Sequence, residues 1–569
     1  MTSAVGTASR AVRVGRAVGL AALYAALFLF RLATAAITND DYLHLSTAQQ
    51  VVLGAVPVRD FLDPGELLFY VTSAAAQVVL GRSMLSEVLL DAVFLSLGQV
   101  LVFALAARAA RSVAVGLLAA AFPVVIVARL YSYPKTFLYA VALALVWHYL
   151  DTRRLRVLWA LSLWTGLAFL FRHDHGAYIG VTVAVMIAVA HGRDRTALAR
   201  ALVHFGLPLV VLLIPFFVFL HVNGGVPFYL RNTLDTARGE YARTAGQFPA
   251  FHVEWTGVLP LPAPPLPGET DPNVTAWHYY VTVALPPLTL LLLASDWVRR
   301  RRADARAVWR GMDQEGAKLV CAAVLGALMH VYLLRAKSDS AIADVSALTG
   351  VLGAWLLARG LGAGWHGARR LLGLEPQRSW VGACAGLAAM VLAACIYAVT
   401  IRYLLDTAGG DGARTFARVV ASGGDPLSPR LESLRAMTAP YDHEGARYLF
   451  ACTAETDRVL ITSGYRPELY YAAGRGFAAG RLYFLNSLAP SPEFKAFSLD
   501  RLRAERVPIA LMDPEDSEFM DEFQGLYQYV RQHYRPAGQV EFWDDRFDVL
   551  VDARIPPTGT WAQRLPCYR

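Results

Sequence analysis

The sequence contains few charged residues and few cysteines. Of its 569 residues, 17% are charged and 56% are hydrophobic, which is too apolar a balance for an ordinary soluble multidomain protein. The five cysteines include no Cys-x-x-Cys pair and no zinc-ligand spacing. No glycine-rich phosphate loop is present, so nothing indicates a nucleotide-dependent reaction. This composition favours a protein that is inserted in a membrane.

The positive charge lies in short arginine clusters rather than in one basic domain. The net charge is +8, but the clusters alternate with long apolar runs. Such clusters are typical of cytoplasmic loops between membrane helices, so we expect no nucleic-acid partner. No small-residue cleavage site follows the first apolar run, which we therefore expect to remain as the first membrane helix.

Eleven apolar segments are candidates for membrane-spanning helices, which need about 20 residues each. Basic clusters occur in every second connection, which indicates a cytoplasmic N-terminus and places the region after residue 403 outside. The candidate segments are 17–37, 84–106, 113–130, 136–150, 157–171, 176–190, 203–221, 278–296, 318–335, 342–358 and 380–402.

The region 403–569 has a different pattern, in which short apolar runs alternate with amphipathic segments. The predicted elements are strands over 458–463 and 508–512 and helices over 498–505 and 519–533. We therefore predict an α-helical polytopic membrane protein that consists of a transmembrane domain, residues 1–402, and an extracytoplasmic α/β domain, residues 403–569.

Two adjacent carboxylates, Asp40 and Asp41, follow the first predicted span in the external loop 38–83. An acidic pair at the membrane boundary could deprotonate an acceptor hydroxyl, since burial and mutual repulsion raise the pKa of one carboxyl. The alternative is a solvated helix end, or an N-cap for an interfacial helix over residues 42–53. Asp40 is the candidate general base, and Asp41 is the candidate assisting or positioning residue.

The same loop continues with Gly-x-Val-Pro-x-Arg-Asp-Phe and a further aspartate, a motif that contains Arg59, Asp60 and Asp63. Together with the preceding Asp-Asp-Tyr, it resembles the first loop of bacterial GT-C glycosyltransferases, relatives of protein O-mannosyltransferases and the lipid A aminoarabinose transferase. The resemblance implies that Asp40 is the catalytic base and that the donor is a polyprenyl-phosphate sugar. Arg59, Asp60 and Asp63 are candidates for substrate binding. Many members continue with Lys-Pro-Pro, whereas this chain has Gly-Glu-Leu.

Charged residues also gather at Arg172-His173-Asp174-His175, at the outer end of the fifth predicted span. The sequence Phe-Arg-His-Asp resembles the corresponding turn of the same family. Arg172 could hold the donor phosphate while Asp174 orients it, because a guanidinium fork matches phosphate oxygens, and His173 is a further candidate. The alternatives are an ion pair that closes a helix turn and a zinc site, since His-x-His spacing can bind zinc.

The loop between the ninth and tenth predicted spans contains Arg335, Lys337 and Asp339. Cations at the membrane boundary could neutralise the charge of a departing phosphate, whereas the alternative is interfacial snorkelling. Lys135 lies beside two tyrosines at another outer helix junction and could contact the same phosphate. An aromatic belt explains those tyrosines without a function.

These residues together predict an inverting glycosyltransferase of the plasma (inner) membrane. It would move a sugar from a polyprenyl-phosphate donor to a hydroxyl of a glycan, lipid or protein acceptor on the extracytoplasmic face, in contact with membrane lipids. We expect no cofactor and no obligatory metal, because arginine and lysine can supply the positive charge. Cys452 and Cys567 could form a disulfide outside the cell. The alternative functions are a transporter or lipid flippase, and a non-catalytic membrane scaffold.

Overall fold

The computed structural model describes a chain that is helical up to residue 371 and mixed α/β beyond it. The described residues are 10–569 without 35–36, 127–132, 245–247, 251–252, 256–259, 263–271, 304–312, 336–338, 372–383, 385–407, 441–442, 464, 486–490, 516 and 543–544.

The helical part contains a short hairpin of two strands besides its helices. The hairpin pairs β1 (Val253–Trp255) with β2 (Pro260–Pro262) in antiparallel register. The helices are α1 (Arg10–Thr34), α2 (Asn39–Val52), α3 (Leu67–Leu80), α4 (Met84–Ala110), α5 (Val113–Ile126), α6 (Tyr133–Thr152), α7 (Leu155–Phe171), α8 (His173–His191), α9 (Arg195–Val222), α10 (Val226–Thr244), α11 (Pro272–Ala303), α12 (Gln314–Arg335) and α13 (Asp339–Leu371).

Seven described helices are long and apolar enough to cross a membrane, so the protein is a multi-pass membrane protein. They are the spans Val14–Thr34, Met84–Ala110, His173–His191, Arg195–Val222, Ala276–Arg300, Gln314–Leu334 and Asp344–His366. Helices also occupy the predicted spans 113–130, 136–150 and 157–171 over most of their length. The predicted span 380–402 lies almost entirely outside the described residues.

Helices α4 and α9 illustrate the two environments of a membrane helix. In α4 the buried residues Val88, Ala92 and Leu95 recur every three or four positions, which is the spacing of one helix face packed inside the bundle. In α9, by contrast, Val210 and Ile214 expose more than half of their side-chain surface. Because exposed apolar faces of this size suit hydrocarbon rather than water, α9 lies at the lipid-facing side of the bundle.

The C-terminal part is built around a five-stranded mixed sheet with strand order β4-β3-β5-β7-β6. Strand β3 is parallel to both of its neighbours, whereas β7 is antiparallel to β5 and β6. The strands are β3 (Arg458–Ile461), β4 (Gly476–Phe477), β5 (Ile509–Met512), β6 (Tyr534–Phe542), β7 (Asp545–Asp552), β8 (Gly559–Trp561) and β9 (Leu565–Cys567). The helices are α14 (Ala408–Ala421), α15 (Ser428–Ala436), α16 (Glu444–Cys452), α17 (Pro467–Ala473), α18 (Pro492–Ala504), α19 (Ser517–Glu522) and α20 (Gln524–His533).

The α/β character of this part confirms the predicted fold class. Both predicted strands are present, and they are neighbours in the sheet. The predicted helix 498–505 begins earlier, at Pro492, and the predicted helix 519–533 is two helices. A disulfide joins Cys452 to Cys567, as hypothesised from the sequence. The proposed domain boundary near residue 402 lies outside the described residues and stays a prediction.

Helix α2 is held between the membrane helices and the C-terminal part by polar side chains. Ser46 Oγ donates to the Pro467 carbonyl at 2.7 Å, and the Gln49 amide donates to the Arg475 carbonyl at 2.8 Å. Gln50 donates to Phe477 at 2.8 Å. The three α2 side chains are at most 3% exposed. Because buried polar groups are costly unless they are paired, these bonds fix α2 against residues 467–477.

Candidate functional site

Asp40 lies in the first turn of α2, where the chain leaves the first membrane helix. Its carboxylate is half-buried, and its Oδ1 accepts a hydrogen bond of 2.8 Å from the Tyr465 hydroxyl. Tyr465 belongs to the C-terminal part, 425 residues further along the chain. The structure therefore places the predicted base at the junction of the helical bundle and the sheet region.

Asp41 has a clear structural role as the third residue of a capping box. Its Oδ2 accepts from the Thr38 backbone N–H at 2.6 Å and from the Thr38 hydroxyl at 3.0 Å. The Asp41 N–H in turn donates to the Thr38 carbonyl at 3.1 Å. Such reciprocal bonds satisfy the free N–H groups of a helix start. Asp41 is buried, and these bonds fix the turn that carries Asp40.

Asp63 shapes the loop between α2 and α3. Its Oδ1 accepts from the N–H groups of Gly65 and Glu66 at 2.9 and 2.8 Å, at the start of α3. Its Oδ2 is enclosed and has no hydrogen-bond partner. Burial raises the pKa of Asp63 to about 6, although the two backbone hydrogen bonds oppose the shift. Asn232 donates to the Asp63 carbonyl at 2.8 Å, which ties the loop to α10.

Arg172 occupies the junction between α7 and α8 and forms a two-pronged ion pair with Asp174. The Nε–Oδ1 and NH2–Oδ2 distances are 2.9 and 2.6 Å. The Glu66 carboxylate lies 3.8 Å from the other terminal nitrogen of Arg172. The pair closes the helix turn, which is the structural alternative considered from the sequence, and it also holds the guanidinium beside the first loop.

Lys135 begins α6 and is the second cation of this region. Its Nζ donates to Asp344 Oδ2 at 2.8 Å and to the Tyr332 hydroxyl at 3.1 Å. The ammonium lies 4.5 Å from the centre of the Tyr332 ring, and the Arg172 guanidinium lies 5.2 Å from the same centre. Tyr332 therefore brings two of the predicted phosphate-binding cations to one aromatic ring.

His44 connects the base to these cations. It is buried on α2, and its ring stacks against Phe69 at a centroid distance of 3.9 Å. Burial lowers the pKa of His44 to about 3; the Asp40 charge opposes this shift, and the charges of Lys135 and Arg172 add to it. All three residues thus act electrostatically on one imidazole, which is neutral at physiological pH. We treat Asp40, Lys135 and Arg172 as one candidate site.

The other predicted residues near the site make structural contacts. His173 Nδ1 donates to the Phe169 carbonyl at 3.0 Å, and His173 Nε2 hydrogen-bonds with the Tyr229 hydroxyl at 2.7 Å, so this residue ties α8 to α10. Asp60 pairs with Arg59 at 2.7 Å and lies 3.3 Å from Arg501 of the C-terminal part. Arg59 is more than half exposed. These three residues hold elements together around the site.

Three predicted residues have no described side chain. Lys337 lies outside the described residues, and the side chains of Arg335 and Asp339 lie outside them as well. Among the residues that the structure describes, no group of three or more His, Cys, Asp or Glu side chains is arranged to hold a metal ion.

Sequence reasoning missed Tyr332, Asp344, His44 and Tyr465 as parts of this site. Asp344 gave a usable signal, because a carboxylate within a predicted membrane span is costly unless it is paired. Tyr332 and His44 gave none, since an aromatic ring or a histidine on a helix is usual in a core. Tyr465 follows a buried strand, but its contact with Asp40 depends on how the two parts of the chain pack.

Comparison with known proteins yields structural likenesses alone. No family model and no curated protein matches the sequence. The structure is similar to crystal structures of ArnT from Cupriavidus metallidurans, bound to undecaprenyl phosphate (12% identity, TM-score 0.47) and in the apo state (14%, 0.45), over 95% of this chain and 98% of that chain. It is also similar to the Archaeoglobus fulgidus oligosaccharyltransferase tethered with an acceptor peptide (13%, 0.45), over 95% and 75%. TM-scores below 0.5 transfer no residue's role to this chain.

Proposed function

We propose that this protein is a membrane glycosyltransferase that transfers a sugar from a polyprenyl-phosphate donor to an acceptor hydroxyl on the extracytoplasmic face, with inversion at the anomeric carbon. The observation that carries the proposal is a cluster of charged groups at helix starts: Lys135 and Arg172 lie 4.5 and 5.2 Å from the centre of the Tyr332 ring, and the half-buried Asp40 lies in the first turn of α2. A carboxylate and a pair of cations are what a displacement reaction with a phosphate leaving group needs at its two ends.

The reaction is a single displacement in this proposal. Asp40 takes the proton of the acceptor hydroxyl while the acceptor oxygen forms a bond to the anomeric carbon. The bond between that carbon and the phosphate oxygen breaks, and polyprenyl phosphate leaves with the electron pair. Attack and departure occur on opposite faces, so the configuration inverts. The proton then passes from Asp40 to water.

Lys135 and Arg172 neutralise the charge that develops on the leaving phosphate. Both are held in place before the donor binds, Lys135 by Asp344 and Arg172 by Asp174. Fixed charges need no rearrangement as the phosphate departs, and this is the main source of electrostatic catalysis. We extend the same role to Arg335 and Lys337, with Asp339 beside them, on their sequence alone. Arginine and lysine supply the positive charge, so the proposal includes no cofactor or metal.

Asp41 and Asp63 act as positioning residues in this proposal. Asp41 fixes the helix start that presents Asp40, and Asp63 fixes the start of α3, where Glu66 faces Arg172. Arg59, Asp60 and His173 hold the surrounding elements together and contact substrate less directly than the sequence motif implies.

In this proposal the N-terminus lies in the cytoplasm and the C-terminal part lies outside. The disulfide between Cys452 and Cys567 supports it, because disulfides persist in oxidising compartments. The test uses exposed positions in a chain whose Cys321, Cys384 and Cys395 are replaced by alanine. We expect Ser422→Cys to react with a membrane-impermeant maleimide in intact cells and Arg193→Cys to react only after lysis. The reverse pattern would contradict the topology.

One observation favours a transporter as the second candidate. Glu87 and Asp91 lie one helical turn apart in α4, both are at most 2% exposed, and three of their four carboxylate oxygens have no hydrogen-bond partner. Buried carboxylates in membrane helices often serve ion pathways. Proton-coupled sugar or lipid uptake into proteoliposomes that depends on Asp91, without any sugar transfer, would favour this alternative.

The decisive experiment for the transferase uses the purified full chain. Wild type, Asp40→Asn and the control Asp500→Asn are incubated with a panel of polyprenyl-phosphate hexoses and pentoses, and release of polyprenyl phosphate is measured. Asp500 is exposed, and its ion-pair partner is Arg503, which is not a residue of the proposed site. We expect turnover by wild type and Asp500→Asn and a loss of about 10²- to 10⁴-fold for Asp40→Asn. Equal turnover by all three would remove Asp40 from the mechanism.

A further inference from the structure

We infer that the C-terminal part binds an acceptor that is a negatively charged saccharide, with Arg481 as the ligand for the charge and Tyr465 and Tyr483 as the surface for a sugar ring. The inference rests on the proposed function and adds to it the chemical class of the acceptor.

Arg481 is a guanidinium with no anionic partner among the residues that the structure describes. Its Nε is enclosed without a hydrogen-bond partner, and its side chain forms no ion pair within the part of the chain that the structure describes. The guanidinium lies 5.3 Å from the centre of the Phe523 ring. Burial lowers the pKa of Arg481 to about 10, and Tyr483 is the described group whose charge opposes that shift. A partly buried cation is costly unless an anion compensates it.

Other arginines of the same part are satisfied within the protein. Arg475 donates to the carbonyls of Phe450 and Thr453 at 2.6 and 2.8 Å, where it closes the end of a helix. Arg506 is paired with Asp457, and Arg554 with Asp552 at 2.7 Å. Arg481 differs from these three, because no described group hydrogen-bonds to its side chain or forms an ion pair with it. In this inference a ligand supplies the anion.

The position of Arg481 connects it to the proposed site. The preceding residue, Gly480, accepts a hydrogen bond of 3.0 Å from the Leu62 N–H of the first loop, so this segment is fixed against the loop that carries Asp63. Two residues beyond Arg481, the ring of Tyr483 lies 5.3 Å from the ring of Tyr465. Tyr465 in turn donates to Asp40 at 2.8 Å. Contacts therefore lead from the segment of Arg481 through the pair of Tyr483 and Tyr465 to Asp40.

This order fits a saccharide with an anionic substituent. The apolar face of a sugar ring packs on aromatic side chains, and both tyrosines are half-buried, so they retain accessible surface. A phosphate or carboxylate on the same molecule would bind the Arg481 guanidinium through charge-assisted hydrogen bonds. The acceptor hydroxyl would then displace the Tyr465 hydroxyl from Asp40. A neutral hydroxyl of a protein side chain would leave Arg481 uncompensated.

The test measures binding of three small probes to the purified full chain by calorimetry. Glucose 6-phosphate, glucuronate and glucose share one ring and differ in charge, so they separate phosphate, carboxylate and neutral saccharides. The variants are Arg481→Met, which keeps the aliphatic stem, and the control Arg503→Met, an exposed arginine that also lies over a tyrosine ring. Melting temperatures establish that each variant is folded.

We expect one or both charged probes to bind wild type and Arg503→Met about tenfold or more tightly than glucose does, and Arg481→Met to lose that difference. Lys135→Met, which removes a cation of the proposed donor site, should retain it. The inference is overturned if neither charged probe binds better than glucose, or if Lys135→Met loses the difference while Arg481→Met retains it. Charged-probe binding through Arg481 without Asp40-dependent turnover would contradict the proposed function and leave the anion site standing.

Discussion

The two ends of the candidate site are built in opposite ways. At the end that we propose binds the leaving group, Lys135 and Arg172 come from helix starts of the bundle, and each is paired with a carboxylate of the same bundle. At the acceptor end, Asp40 comes from the bundle, but its partner Tyr465 comes from the C-terminal part. The leaving-group end is thus fixed within one unit of packing, whereas the acceptor end depends on how two parts of the chain meet.

From this difference we expect the chemistry of the leaving-group end to be constant and that of the acceptor end to vary. A phosphate leaving group needs the same fixed positive charge whichever sugar is transferred, so rigid helix ends can bind it. The acceptor determines specificity, and a separate part of the chain can present different side chains to it while α2 stays in place. The hydrogen bonds from Ser46, Gln49 and Gln50 to residues 467–477 connect the helix that carries Asp40 to the C-terminal part.

Among changes at the leaving-group end, the largest expected effect comes from removing the Arg172 guanidinium. Arg172→Met takes away a positive charge and leaves Asp174 and Glu66 without it, so the site becomes more negative where the phosphate should lie. We expect sugar transfer to fall by about 10²-fold or more. Initial rates of polyprenyl phosphate release measure this loss.

The control for Arg172→Met is Arg195→Met, an exposed arginine at the start of α9. Its rate should stay within about twofold of wild type. A wild-type rate for folded Arg172→Met would show that this arginine serves only to close the helix turn with Asp174.

A smaller effect is expected from the aromatic ring between the two cations. Tyr332→Leu removes the ring that both cations contact, and we expect the Kd for a polyprenyl-phosphate sugar to rise about tenfold. Tyr332→Phe keeps the ring and loses the 3.1 Å hydrogen bond from Lys135, so its Kd should rise a few-fold at most. Binding is measured by tryptophan fluorescence quenching.

Tyr241→Leu provides the comparison for Tyr332, because that tyrosine is 55% exposed. If Tyr332→Leu and Tyr241→Leu bind the donor equally well, the ring has no part in donor binding. An unchanged donor Kd with a changed acceptor requirement would place Tyr332 at the other end of the site.

The smallest effect concerns stability rather than activity and comes from Asp63. Its folded pKa is about 6, above its ordinary value of 3.8, so the folded state binds the proton more tightly. Stability from this group is therefore present at low pH and is lost as the pH rises through 6. Two pKa units correspond to at most about 3 kcal/mol.

Asp63→Asn cannot titrate, and its amide oxygen can still accept from Gly65 and Glu66. We expect the melting temperature of Asp63→Asn, relative to wild type, to rise by about 1 to 2 °C between pH 4.5 and pH 7.5. The matched variant Asp500→Asn should show no such trend. A relative melting temperature for Asp63→Asn that falls over this range would contradict the assignment.

Much of the fold could be predicted from the sequence because its signals are local. Apolar runs predicted the membrane helices, and the apolar runs at 458 and 508 predicted β3 and β5. The helix predicted over 42–53 corresponds to α2, which begins earlier, at Asn39. The hairpin of β6 and β7 escaped prediction, because the register shifts between Pro536 and Gly538 and interrupts the alternation of buried residues. Helix α3 escaped because it has 14 residues, too few for a span.

The site was predictable only in part, because its partners are distant in sequence. Asp40, Lys135 and Arg172 could be proposed from their position at helix ends. Their arrangement around His44 and Tyr332 could not, since nothing local indicates which helix ends are neighbours. Arg481 gave no signal at all, because a buried arginine without an anion is recognised only once its surroundings are known.

The most direct test of the account separates the two ends of the site in one measurement. Donor Kd and the single-turnover transfer rate are determined for Asp40→Asn and Lys135→Met with the same polyprenyl-phosphate sugar. We expect Asp40→Asn to bind the donor within about twofold of wild type but to transfer about 10²- to 10⁴-fold more slowly, and Lys135→Met to bind the donor more weakly. A wild-type transfer rate for Asp40→Asn, or unchanged donor binding and transfer for Lys135→Met, would contradict it.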